Sequence, residues 1–168
     1  MSAIRILLVL AITTGCGGSS AQPARPTAAG ARQVLVNTDA DGLALNGHDP
    51  VAYMTDGAPV LGTIEHSSRH DGAVYRFASA EHATTFASAR ERHAPRFGGY
   101  CAFAASQNRL SPGDPQVFLI QDGKLLLFTN RDFLEQFTKD PAGNLREADE
   151  HWPGLVAQHG KPLADAAP

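Results

Sequence analysis

The chain has 168 residues, 14 Lys+Arg against 17 Asp+Glu and a formal charge of −3, a balance that gives no reason to expect nucleic acid as a partner. A hydrophobic fraction of 43% and a charged fraction of 18% are ordinary for a globular protein and speak against gross disorder and against a bundle of membrane helices. Once a leader and a flexible stretch are set aside, about 130 residues remain, enough for one domain with one core.

Residues 1–15 read as a signal peptide: a short polar start with Arg5, then the apolar run from Ile6 to Ile12, too short for a permanent span of about 20 residues. The small residue Gly15 before Cys16, and Gly17-Gly18-Ser19-Ser20 after it, resemble a bacterial lipobox. The resemblance implies lipidation at Cys16. Thr13 departs from it, because a leucine-like residue is usual at that place. Gly17 stands where an aspartate would imply retention in the inner membrane, so the resemblance implies a periplasmic protein held at the outer membrane by its lipid. Residues 16–32 are almost entirely Gly, Ser, Ala, Pro, Gln and Arg, cannot bury enough surface to offset their ordering entropy, and read as a flexible tether.

The domain is expected over residues 33–158, with residues 159–168 as a disordered tail. Val34-Leu35-Val36 and Leu43-Ala44-Leu45 flank Asp41-Gly42 and suggest a hairpin. Asp71-Gly72 precedes an alternating strand, Ala73 to Phe77, and Asp122-Gly123 separates Val117–Ile120 from Leu125–Phe128. Asp-Gly supplies the positive φ values of a type I′ turn cheaply. Ser79 is a helix cap, and residues 80–91 are predicted helical, with Ala83, Phe86, Ala87 and Arg90 on one face and Arg90, Arg92 and His93 completing the C-terminal end. A second helix is predicted after Asn130, presenting Phe133, Leu134 and Phe137. A third is predicted from Asp140-Pro141, presenting Leu145, Ala148 and Trp152 and ending before Pro153. Strands and helices interleave without a βαβ repeat, which predicts an α+β domain of short antiparallel hairpins with about three short helices.

Three stretches stand together in order: Gly47-His48-Asp49-Pro50-Val51-Ala52-Tyr53, then Tyr75 to His82, then Phe97-Gly98-Gly99-Tyr100-Cys101-Ala102. With Ala148-Asp149-Glu150-His151-Trp152-Pro153 they resemble the exported subgroup of the YHS domain family over residues 43–156. The resemblance implies a small treble-clef-like module of the kind found beside metal-transport proteins. Where the family can supply thiolates, this chain has Ala52, Ala78 and His82, so a thiolate cage for zinc or copper(I) is excluded. His48 replaces the family's tyrosine and reads first as a structural swap; Asp49-Pro50 reads first as a turn.

The remaining metal candidates are Cys101, His82 and His48, for copper or zinc, with His93, His66 and His70 as further imidazoles. If extended, His66 and His70 lie roughly 13 Å apart, too far to share an ion. Cys101 becomes a lone thiol in an oxidising compartment once Cys16 is lipidated, which means that it is either protected or used. Three functions stay open: a membrane-tethered periplasmic binding module, with a transition metal as one cargo; a thiol enzyme with Cys101 as nucleophile and His48, His82 or His93 as base; and an envelope domain with no small ligand.

Overall fold

Two Asp-Gly pairs generate the two longest hairpins of the computed structural model, which describes residues 32–163. Asp71 and Gly72 have φ of +49° and +78°, and Asp122 and Gly123 have φ of +52° and +68°, so both turns carry two consecutive left-handed residues. The first joins β2 (Thr63–His70) to β3 (Ala73–Phe77), with His70 opposite Ala73. The second joins β4 (Asp114–Gln121) to β5 (Lys124–Phe128), with Gln121 opposite Lys124. The signal peptide, Cys16, most of the tether and residues 164–168 lie outside the described residues.

The third Asp-Gly pair does something else. Asp39 Oδ1 accepts from the amides of Asp41 and Leu43, and the run after the turn docks beside β3 through Ala44 N to Val74 O, 2.9 Å, and Val74 N to Gly42 O, 2.9 Å. Only Thr38 and Ala44 bridge across that turn. The expected hairpin partner, β1 (Gln33–Val34), instead pairs antiparallel with β6 (Lys161–Pro162). Residues 159–163 therefore belong to the fold, where a tail was expected.

The architecture is α+β, with six α-helices among the described residues where about three were expected. The additional ones are single turns: α1 (Ala52–Thr55), α3 (Arg90–His93) and α4 (Ala102–Ser106). The helix expected over 80–91 ends early, as α2 (Ala80–Ser88), because the backbone leaves helical geometry at Ala89, with φ −147° and ψ 52°. The break turns His93 inward to 8% exposure while Arg90 and Arg92 stay exposed. On α2 the inward face is thus Ala83 and Phe86; Ala87, and Arg90 at the start of α3, face outward.

α5 (Arg131–Thr138) is capped by Asn130, whose side chain accepts from Phe133 N. α6 (Pro141–His159) is capped by Asp140 and runs through Pro153. Proline has no N–H for the Asp149 carbonyl and crowds it, a cost of about 3 kcal/mol in a helix interior. The ring is exposed, so only backbone terms oppose it.

β5 separates two cores. Leu125 and Leu127 face one, with Tyr53, Tyr75, Phe77 and Phe86; Leu126 and Phe128 face the other, with Phe97, Cys101, Phe137 and Ala148. A strand buried on both faces reads as a continuous apolar run, as Leu125 to Phe128 does. Pro153→Ala is expected to raise stability by about 1–2 kcal/mol, the helix gain less the entropy returned to the unfolded chain, measurable as a higher urea midpoint with unchanged slope.

Candidate functional site

Asp49 is 0% exposed. A buried carboxylate needs donors on its lone pairs, and three converge: Val51 N on Oδ1 at 2.8 Å, Ala78 N on Oδ2 at 2.8 Å, and His82 Nδ1 on Oδ2 at 2.6 Å. The residue ties the loop before α1 to the end of β3 and the first turn of α2. Ser79 Oγ accepts from His82 N at 3.1 Å, so the backbone and ring of His82 are both fixed. Because the carboxylate only accepts, Nδ1 carries the proton, and a neutral ring keeps its lone pair on Nε2. The His82 side chain is 18% exposed. This pair can orient an imidazole as a base or as a metal ligand, but needs further groups to do chemistry.

The other candidates do not join it. Cys101 is 0% exposed in the second core, where it caps α4, its Sγ accepting from Ala104 N at 3.5 Å. His48 uses both ring nitrogens: Nδ1 donates to Leu45 O at 2.9 Å, and Nε2 accepts from the Gln116 amide at 3.2 Å. Among the described residues, no group of three or more His, Cys, Asp and Glu is placed to hold a metal ion. The donor set Cys101, His82 and His48 is therefore not assembled, because burial takes the sulfur and hydrogen bonding takes the His48 nitrogens.

His93 is buried with Nδ1 unpartnered. Burial, and next the charge of Arg92, lower its pKa from the ordinary 6.5, with Asp49 opposing. His66 and His70 sit on β2, and His70 packs edge-on against Phe86, centroids 5.8 Å apart.

A second feature is a cavity of about 320 Å³ whose walls come from far-separated segments: Val34 to Val36, the hairpin residues His70, Asp71 and Tyr75, Glu91 and the stretch from Ala94 to Gly98, Lys124, and Trp152 and Val156 of α6. Trp152 meets Phe97 edge-on at 5.5 Å. Arg32 pairs with Asp71, Arg96 with Asp149 at 2.6 Å, and Lys124 Nζ donates to Glu91 O. Burial, then the neighbouring carboxylates of Asp71 and Glu91, push the Tyr75 phenol up, keeping it a protonated donor. Sequence reasoning missed this cavity. Trp152, Tyr75 and Phe97 were visible as aromatic landmarks, but nothing in their spacing brings them to Lys124 or Glu91.

No family model matches the chain, and no curated protein and no solved structure matches it at significant similarity.

Asp49→Asn is expected to cost about 3 kcal/mol or more, read from denaturant unfolding, because an amide cannot accept three hydrogen bonds and turns a donor towards donors. His93 has a folded pKa below its unfolded value, so its contribution is present above about pH 6.5 and declines as pH falls through that value. Stability should fall between pH 7 and pH 5, and His93→Phe should flatten that slope; an unchanged slope would assign it to other groups.

Proposed function

We propose that this chain is an exported, lipid-tethered domain of YHS type that works as a non-catalytic binding module of the cell envelope. The order and content of its motifs support the family reading, and the lipobox-like Gly15-Cys16 supports the tether. The observation that carries binding is the cavity bounded by Val34 to Val36, Tyr75, Lys124 and Trp152, with charged groups of both signs. Its volume of about 320 Å³ falls within the range of ligand sites, about 300 to 1,000 Å³. Thiol catalysis loses its support, since a nucleophilic thiolate needs access and Cys101 is sealed in the core. A copper or zinc cargo is supported only at His82, where the carboxylate–imidazole pair is of the kind that orients metal-ligating histidines.

Three measurements test this reading. Cys16→Ser should move the domain from the membrane to the soluble fraction with an unchanged melting temperature; continued membrane association would remove the lipid anchor. A library of small organic compounds, screened by melting and by the fluorescence of Trp152, the only tryptophan, should contain binders whose effect is lost in Val156→Phe, which fills the cavity. A screen with no hits, or hits indifferent to that substitution, would overturn the cavity as the ligand site. A chelator should leave the melting temperature unchanged, because among the described residues no group of three or more metal-ligating side chains is assembled; a large drop would restore a structural metal.

A further inference from the structure

The charges around the cavity differ once their partners are considered. Arg32 and Asp71 neutralise each other, and Arg96 is held by Asp149, with Nη2 2.6 Å from both carboxylate oxygens. Two charged groups remain without an ionic partner among the described residues: the ammonium of Lys124, bonded to the neutral carbonyl of Glu91, and the carboxylate of Glu91 itself. Both residues line the cavity, and the bond from Lys124 to the Glu91 backbone keeps them adjacent. The part-exposed ring of Trp152, set edge-on against the buried Phe97, supplies an apolar wall; Tyr75, 1% exposed, belongs to the core.

We infer that this cavity binds a small zwitterion, its anionic group at the Lys124 ammonium, its ammonium at the Glu91 carboxylate and its apolar part against Trp152. The inference rests on the binding-module reading and names its ligand class. A singly charged ligand engages one of the two groups, whereas a zwitterion engages both. The Glu91 carboxylate, which has no ionic partner among the described residues, favours an ammonium on that side, and the part-exposed ring of Trp152 can add cation–π attraction. At about 320 Å³ the space accommodates a molecule of amino-acid size. The same chemistry is offered by a free α-amino acid and by the phosphoethanolamine headgroup of a lipid.

Trp152 fluorescence of the mature protein reads the test, with four probes: L-leucine; 4-methylpentanoate, which is leucine without its ammonium; 3-methylbutylamine, which is leucine without its carboxylate; and glycerophosphoethanolamine. At least one of the two zwitterions is expected to saturate the signal with an affinity about tenfold or more above both singly charged probes. Saturation by leucine identifies the free amino acid as the source, and saturation by glycerophosphoethanolamine alone identifies the headgroup. Lys124→Met and Glu91→Gln should each weaken that binding about tenfold; the probe series on the unaltered protein decides the matter even if a variant does not fold. A singly charged probe binding as tightly as the zwitterions would overturn the ligand class and leave the cavity as a binding site. Silence from all four probes would also overturn it, and the binding-module reading then falls only if the wider screen with Val156→Phe fails as well.

Discussion

The carboxylate of Asp49 is the point on which the first half of the fold closes. It has no contact with solvent, and an ionised group in such a place persists only while its acceptor sites are filled. The donors come from three separate pieces of chain: Val51 at the start of a helical turn, Ala78 just past β3, and His82 in the first turn of α2. Removing any one of those pieces leaves a buried charge underpaired. The same loop sends Tyr53 into the core, where its hydroxyl donates to Pro115 O at 3.0 Å and its ring meets Phe118 edge-on at 4.9 Å. Asp49 and Tyr53 thus join the first hairpin to the second.

The second half closes at the glycines before Cys101. Gly98 has φ +56°, and a Cβ there would come within 2.0 Å of Leu35 O, so only glycine lets the N-terminal segment cross this turn. Asn37 N then donates to Gly98 O at 2.8 Å. The crossing places Val34 to Val36 along one wall of the charged cavity, while Leu35 packs on one core and Val36 on the other. A segment fixed for packing thereby also shapes the cavity.

Much of this was legible in the sequence, and the reasons are local. The turns at Asp71-Gly72 and Asp122-Gly123, the caps at Ser79, Asn130 and Asp140, and the apolar faces of α5 and α6 depend on neighbours within a few residues. The pairing of β1 with β6, the break at Ala89 and the passage of α6 through Pro153 depend on packing between distant segments, which propensity does not report. Histidine and cysteine, read as potential ligands because of what their side chains can do, divide by environment: Cys101 is a core residue, His48 a bridge to Gln116, His82 the clasp on Asp49. Asp49, read first as a turn residue, accepts from the nearby amide of Val51 and also from the distant amide of Ala78 and the ring of His82.

The most conspicuous motif of the chain, Asp49-Pro50-Val51-Ala52-Tyr53, is therefore buried throughout and ties the architecture together, while the proposed ligand groups Lys124, Glu91 and Trp152 lie elsewhere, around the cavity. Amide hydrogen exchange at Val51 and Ala78 tests this division most directly, since Asp49 is the acceptor for both amides. Both amides should exchange as slowly as those of β3 and β5, at close to the free energy of global unfolding. Exchange of either amide within minutes, while β3 and β5 remain protected, would contradict the central place given to the Asp49 carboxylate.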